Sequence, residues 1–145
     1  MIGLLQRVTN AEVRVDNQVI GQIGAGLLVL VGIQPTDNPE IGQQLLTKIL
    51  KYRIFDDEAG KMNLSLQQVA GGLLLVPQFT LAADTRHGLR PGFSTAAAPD
   101  LGRRLFEGLV TFAQDQHPKV QTGQFGANMQ VSLINNGPAT FWLQS

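Results

Sequence analysis

Apolar side chains alternate with polar or small ones along the first fifteen residues of the chain. The alternation is carried by Ile2, Leu4, Gln6, Val8, Val13 and Val15. Side chains two positions apart point to the same face of an extended chain, so this spacing predicts half-buried β-strands. Asp16 and Asn17 then stand between two apolar runs and predict a hairpin turn.

Two continuous apolar runs follow. Residues 26–33 are rich in Leu, Val and Ile, which predicts a central strand buried on both faces. Residues 71–81 predict a second buried strand, interrupted at Pro77. Because Pro has no N–H to donate to a ladder, that strand must end, bulge or lie at a sheet edge there. Residues 121–135 and 139–144 predict two closing strands.

Helical spacing occurs in two places. Asn38, Pro39 and Glu40 predict a helix start, with a cap residue, Pro at the first position and an acid in the first turn. That helix is predicted to reach about Tyr52, with an inward face made of Ile41, Leu45, Leu46, Ile49 and Leu50. The second helix is predicted to open at Pro99, with an inward face made of Leu101, Leu105, Leu109 and Phe112.

These elements predict an α+β fold in a single domain spanning residues 1–145. We expect antiparallel-rich β-sheets in a barrel-like or layered arrangement, with two helices packed on one face. Residues 82–99 form a predicted loop that is longer than most connections, and loops of that length are often functional.

Composition narrows the function classes. Hydrophobic residues make up 43% of the chain and charged ones 15%, which indicates a globular protein. The formal net charge is zero, so any RNA must be bound locally, because general affinity for nucleic acid needs many Lys and Arg contacts to phosphates. The chain has no Cys, no basic signal region, and no apolar run near the roughly 20 residues that span a bilayer. We expect a cytoplasmic protein without membrane contact.

The usual catalytic arrangements are missing from the sequence. His87 and His117 lie far apart in the chain, whereas zinc needs three or four clustered ligands, so we expect no metal site and predict both His residues at the surface. The acidic run at residues 56–58 is interpreted as a solvated hairpin tip. No P-loop and no G-x-S-x-G sequence occurs.

Charged residues of the long loop leave two interpretations open. Asp84, Arg86 and Arg90 could hold a phosphate group, or they could order the loop through salt bridges.

Two segments break the local rules of strand formation. In residues 77–80, Gln78 and Thr80 are polar groups after an apolar strand, which fits either a solvated strand end or the floor of a binding pocket. In residues 135–138, Pro138 follows Asn-Asn-Gly where a strand would re-enter the sheet. That segment fits a tight turn, or a rigid tip with a cis bond before Pro, which costs little only at X-Pro.

The same two segments carry a family resemblance. "PQFTLAADTRHGLRPGF" and "QTGQFGANMQVSLINNGPATFWLQ" resemble the two signature segments of the D-aminoacyl-tRNA deacylases, which include the D-tyrosyl-tRNA deacylases. The stretches 1–15, 21–33 and 50–65 are similar to that family too, so the resemblance covers the whole chain in order.

The resemblance implies a cytoplasmic homodimer that hydrolyses the ester between a D-amino acid and the 3′ end of tRNA, with no metal and no cofactor. It also implies that the Gly137–Pro138 bond is cis and that this pair enters the active site of the partner subunit. Carbonyl groups at such a tip would accept hydrogen bonds from the substrate amine and leave no room for an L side chain. Glycine would pass this filter, so we expect hydrolysis of glycyl-tRNA as well.

The resemblance assigns roles to further residues. Gln78, Phe79 and Thr80 match the catalytic Ser-Gln-Phe-Thr motif of the family, in which the N–H groups of Phe79 and Thr80 would bind the ester carbonyl. Pro77 stands where the motif has Ser, which removes a hydroxyl and an N–H together. Gly92 stands where the family often has Ser.

Three more residues bind substrate by this resemblance. Phe125 and Met129 match positions that line the pocket for the terminal adenosine, and Arg7 matches a residue near the Gly-Pro loop. An aromatic ring suits a nucleobase, since such stacking stabilises binding by about 1–3 kcal/mol per base.

The expected mechanism is attack by water, with backbone N–H groups and the ribose 2′-OH assisting, because no residue is an obvious nucleophile with its own base and no His stands near Thr80 in the sequence. Two alternatives remain open. The protein could hydrolyse small D-amino acid esters or amides, or it could be a non-catalytic module that binds RNA or aminoacyl groups.

Overall fold

The computed structural model describes all residues, 1–145, as a strand-rich body with helices on one side. In chain order the elements are β1 (Ile2–Val15), β2 (Gln18–Ile23), β3 (Gly26–Gly32), α1 (Pro39–Lys51), β4 (Phe55–Asp56), β5 (Met62–Leu64), α2 (Leu66–Val69), β6 (Gly72–Pro77), a 3-10 segment (Phe79–Ala82), α3 (Pro99–Gln116), β7 (Val120–Thr122) and β8 (Gln130–Gln144).

Six strands form one twisted, nearly closed sheet. The strand order is β2-β1-β3-β6-β7, and β8 pairs with β1. β1 is antiparallel to β2, β3 and β8, whereas β3, β6 and β7 run parallel. β2 folds back over the far edge, where a Cβ on Gly21 would lie only 2.6 Å from the Thr122 carbonyl oxygen of β7. The glycine at this position therefore allows the sheet to curl towards closure.

The core divides into two apolar clusters on opposite faces of the sheet. α1 and α3 both pack on one face, against odd-numbered side chains such as Leu27, Val29 and Leu73. Even-numbered side chains of the same strands, including Leu28 and Leu74, fill the inside of the curled sheet. Strands β3 and β6 are thus buried on both faces, and the predicted α+β class with two helices on one face is confirmed.

Helix α1 begins as its sequence predicts. The Asn38 side chain accepts a hydrogen bond from the Ile41 N–H, and Pro39 occupies the first turn. The short helix α2 is an addition that the hydrophobic pattern missed. Its capping box, formed by Ser65 and Gln68, was visible in the sequence as Ser followed three residues later by Gln.

The prediction that both His residues lie at the surface is wrong for His117. His87 is exposed, but His117 is only 4% exposed, and its Nε2 lies 2.7 Å from the Gly71 carbonyl oxygen. The ring is buried because it closes the end of α3 against the turn before β6. A single hydrogen bond to a backbone carbonyl makes His117 a structural residue.

The end of the chain also differs from the prediction of two separate strands. β8 continues from Gln130 to Gln144, but its pairing with β1 is interrupted. Asn135 pairs with Val8 and Thr140 with Gln6, so residues 136–139 leave the ladder between these two contacts. The Gly-Pro pair lies in this excursion.

No helix of the structure has the length and apolar character that a membrane span requires.

Candidate active site

A pocket of about 440 Å³ opens at the carboxyl end of β6. Its wall combines the end of that strand, the start of α3 and the turn before β8. The lining residues are Val76, Pro77, Gln78, Phe79, Ala97, Pro99, Phe125, Gly126, Ala127, Met129 and Val131. The structure therefore brings Pro77, Gln78 and Phe79 together with Phe125 and Met129, although more than forty positions separate the two groups in the sequence.

Pro77 is the last residue of β6, and it lies beyond the last pair between β6 and β7, which is Leu75 with Thr122. The Gln78 N–H still donates to the Val31 carbonyl oxygen at 2.8 Å, and the chain then turns into the 3-10 segment. Phe79 and Thr80 are the first two residues of that segment, where backbone N–H groups have no carbonyl partner within the segment. The Gln78 amide donates a hydrogen bond to the Thr80 hydroxyl. The strand ends here and Gln78 lines the pocket, whereas Thr80 is exposed and is not among the lining residues, so each interpretation fits one of the two polar side chains.

Met129 and Phe125 form the opposite wall. The Gln124 N–H points at the Met129 sulfur at 3.3 Å, and a Cβ on Gly123 would lie 2.8 Å from that sulfur. The Phe125 ring packs against α3, where a Cβ on Gly102 would lie 3.1 Å from the ring. Glycine at positions 102 and 123 thus lets both side chains approach the body of the protein closely.

The Gly-Pro tip is the exposed excursion of β8 at residues 136–138. The Gly137–Pro138 peptide bond is cis, and Gly137 has a φ of 143°. The side-chain oxygen of Asn135 accepts a hydrogen bond from the Ala139 N–H at 2.7 Å. The Asn135 amide donates to the Thr140 hydroxyl at 2.8 Å, so one side chain ties the two ends of the tip together.

Arg7 holds the same tip in place through hydrogen bonds from its guanidinium group. Its Nε donates to the Asn136 carbonyl oxygen at 2.9 Å, and its Nη1 donates to the Ile54 carbonyl oxygen at 2.8 Å. Asp56 completes the set with an ion pair at 3.3 Å. Arg7 is 8% exposed, so its three acceptors satisfy a charge that would be costly to bury alone.

The tip and the pocket are separate within one chain. No residue from 135 to 139 lines the pocket, and neither does Arg7. The sequence-predicted site is therefore divided into two parts, one at the end of β6 and one on β8.

The long loop between the 3-10 segment and α3 is ordered by its own ion pair. Arg86 donates two hydrogen bonds to the Asp84 carboxylate, both at 2.8 Å, and these bonds hold the pKa of Asp84 well below its usual range. The same interaction raises the pKa of Arg86. Asp84 and Gly92 also pair through their backbones. This geometry favours the loop-ordering interpretation of Asp84 and Arg86.

The acidic run at residues 56–58 organises a turn. The Asp57 carboxylate accepts hydrogen bonds from the N–H groups of Lys61 and Ala59 and from the Asn63 amide, and these lower its pKa. Asp56 pairs with Arg7, as described above. No three His, Cys, Asp or Glu side chains of the structure form a group that could hold a metal ion.

Sequence reasoning missed several residues of the site. Ala97, Pro99 and Val131 line the pocket, yet nothing in their local sequence marks them. Phe93 packs on the exposed Phe79 ring with centroids 5.1 Å apart. Asn135 could have been found, because Asn side chains in turns commonly bond to nearby backbone groups.

Comparison with known proteins identifies the family to which this fold and pocket belong. A family model described as "D-Tyr-tRNA(Tyr) deacylase" matches residues 4–144. The chain belongs to this family. A relative from Pseudomonas entomophila named D-aminoacyl-tRNA deacylase is 59% identical over 144 residues, covering 99% of each chain.

Solved structures agree on the fold. One described as "c-Myc DNA Unwinding Element Binding Protein" has a TM-score of 0.95 and 34% identity, and covers 100% of this chain and 99% of its own. Another, described as a probable eukaryotic D-amino acid tRNA deacylase, has a TM-score of 0.85 and 17% identity, and covers 98% of each chain. At that identity the second likeness concerns the fold alone.

Proposed function

We propose that this protein hydrolyses the ester bond of D-aminoacyl-tRNA and releases free D-amino acid and tRNA. Mischarged glycyl-tRNA is the second proposed substrate. Family membership and the 59% identity to a relative named D-aminoacyl-tRNA deacylase support the reaction class. In this proposal the protein acts in the cytoplasm as a homodimer and needs neither a metal ion nor a cofactor.

One observation carries the proposal. Pro77, Gln78, Phe79, Phe125 and Met129 line a single pocket, although the resemblance assigned them on two distant segments. The pocket is mostly apolar and has the aromatic ring of Phe125 in its wall, which suits the base of the terminal adenosine. The polar groups that could act on an ester lie at one end of it, where Gln78 and Phe79 lead into the 3-10 segment.

The mechanism follows from the groups at that end. Water adds to the ester carbonyl carbon, the carbonyl oxygen becomes negatively charged, and the N–H groups of Phe79 and Thr80 stabilise it. The bond to the ribose 3′-oxygen then breaks, and that oxygen takes up the proton that the attacking water has lost, with the neighbouring 2′-OH assisting the transfer. The Thr80 hydroxyl bonds to the Gln78 amide, which is not a base, so Thr80 is proposed to position substrate rather than attack it.

The Gly-Pro tip is proposed to complete the pocket of a second subunit. It is exposed, and it does not line the pocket of its own chain. Ile134 and Trp142 on β8 are 57% and 52% exposed, which suits an apolar contact with another copy. Carbonyl groups of the tip would accept hydrogen bonds from the substrate amine, so that an L side chain collides with the tip while a D side chain or hydrogen does not.

Hydrolysis of D-tyrosyl-tRNA, L-tyrosyl-tRNA and glycyl-tRNA by the purified protein tests the proposal. We expect rapid loss of the D-tyrosyl and glycyl esters and survival of the L-tyrosyl ester. Equal loss of both tyrosyl esters would contradict the steric filter. Turnover of D-tyrosine ethyl ester at a comparable rate would instead indicate a hydrolase of small esters. Binding without turnover of any tRNA ester would indicate a non-catalytic module.

A further inference from the structure

A cation without an ionic partner lies beside the pocket. Arg103 is an exposed residue of α3, and its guanidinium carbon lies 5.0 Å from the centroid of the Phe125 ring. None of the four salt bridges of the structure includes it. Glu107, one helical turn further along, is close enough in sequence to pair with Arg103 but does not. The guanidinium therefore keeps hydrogen-bond donors for a ligand.

Phe125 connects this cation to the pocket. Besides lining the pocket, Phe125 lines an outer groove of about 520 Å³, and it is the one residue common to both. Arg103 and Glu107 line the outer groove only. A ligand whose apolar part rests in the pocket and whose anionic part extends past Phe125 would thus reach Arg103.

A nucleotide has this construction. Its base is planar and suits an aromatic wall, and its 5′-phosphate projects from the sugar on a short link. We propose that Arg103 binds the phosphate on the 5′ side of the nucleotide whose base occupies the pocket, an inference that rests on the proposed function. Arg is suited to the task because its planar fork donates two parallel hydrogen bonds to phosphate. Contact with the Phe125 ring holds the side chain at the edge of the pocket.

The same assignment explains how a chain of zero net charge binds the end of a polyanion. Arg103 supplies one local contact to phosphate. Binding the body of an RNA would instead need an extended basic surface. One contact of this kind changes the salt dependence of single-strand binding by about 0.7 in the slope of log affinity against log salt.

Two small substrates that differ by one phosphate isolate the contact. These are 3′-O-(D-tyrosyl)adenosine and its 5′-monophosphate. For the wild type we expect the 5′-phosphate to lower KM about tenfold with little change in kcat, as for one exposed charge-assisted contact. Arg103→Gln should raise KM about tenfold for the phosphorylated substrate and leave the other within about twofold. The variant should also reduce the salt slope with D-tyrosyl-tRNA by about 0.7.

Matched variants separate this contact from general effects of charge. Arg104→Gln removes the neighbouring exposed arginine of α3, which lines a different cavity, and should leave both KM values unchanged. Arg103→Lys keeps the charge without the planar fork and should recover part of the loss.

The possible results distinguish a failure of the Arg103–phosphate contact from a failure of the proposed deacylase function. If the wild type hydrolyses neither adenosine ester nor D-tyrosyl-tRNA, the proposed function fails. If it hydrolyses both adenosine esters with equal KM, the function stands and the phosphate contact is wrong. A KM that rises equally for both esters in Arg103→Gln would also overturn the inference, because Arg103 would then only support Phe125.

Discussion

The Thr80 hydroxyl tests the proposed mechanism at the scale of a single residue. Its one side-chain hydrogen bond comes from the Gln78 amide, and no His, Asp or Glu lines the pocket. We expect Thr80→Ala to lower kcat by no more than about tenfold, the effect of losing one neutral hydrogen bond. The measurement is single-turnover hydrolysis of D-tyrosyl-tRNA. Complete loss of turnover with unchanged substrate binding would make Thr80 the nucleophile.

Asp37 anchors the start of β1 to the segment between β3 and α1. Its carboxylate accepts hydrogen bonds from the Met1 ammonium at 2.6 Å and from the Gln34 N–H at 2.7 Å, and both charged groups are almost fully buried. Removing one partner leaves a buried charge without compensation, so Asp37→Asn should lower the free energy of unfolding by about 3 kcal/mol. Chemical denaturation provides the measurement.

The exposed Asp115 on α3 offers a matched control for that substitution. Asp115→Asn should change the free energy of unfolding by less than about 0.5 kcal/mol. Equal effects of the two substitutions would show that burial of the Asp37 pair contributes nothing.

At the scale of elements, the Gly-Pro tip depends on its glycine. Gly137 has a φ of 143°, which L side chains rarely adopt, and an added Cβ would lie 3.0 Å from the Ala139 nitrogen and 3.1 Å from Arg7. Gly137→Ala should therefore move the tip at a local cost of about 1–3 kcal/mol and reduce deacylation at least tenfold. The core does not depend on this exposed segment, so Tm should change by only a few degrees.

Gly24→Ala is the control for the tip, because a Cβ there meets no atom within 4 Å and the position does not require positive φ. It should leave deacylation unchanged. Full activity of Gly137→Ala, measured with D-tyrosyl-tRNA, would remove the tip from the site.

At the scale of the whole molecule, the prediction is that the Gly-Pro tip of one subunit completes the pocket of its partner. Ala127→Trp fills the pocket, and Gly137→Ala distorts the tip, so each homodimer should be inactive. When the two variants are unfolded together and refolded, half of the dimers are mixed, and each mixed dimer has one intact pocket facing one intact tip. We expect recovery of about a quarter of wild-type activity.

The control for this mixing experiment is each variant refolded alone, which should stay inactive. Mass spectrometry shows whether mixed dimers have formed. If they have formed and no activity returns, the tip acts within its own chain or not at all.

Sequence alone predicted the elements whose cause is local. The apolar run at residues 26–33 is buried on both faces, and Asn38 caps α1, because periodicity and capping act within a few residues. Asp16 and Asn17 form the predicted hairpin turn, both with positive φ. The departure at Pro77 was also visible, since Pro has no N–H to donate and therefore occurs where a strand ends, bulges or lies at a sheet edge.

Tertiary structure decided what depends on distant partners. His117 looked like a surface residue, but the turn before β6 covers it and supplies its acceptor. Ala97 and Pro99 became pocket walls because α3 packs beside the end of β6, and Arg103 came to Phe125 for the same reason. The separation of the tip from the pocket followed from the course of β8, because Val131 near its start lines the pocket whereas residues 136–138 leave the ladder further along. Such contacts join residues far apart in the chain, and no local pattern encodes them.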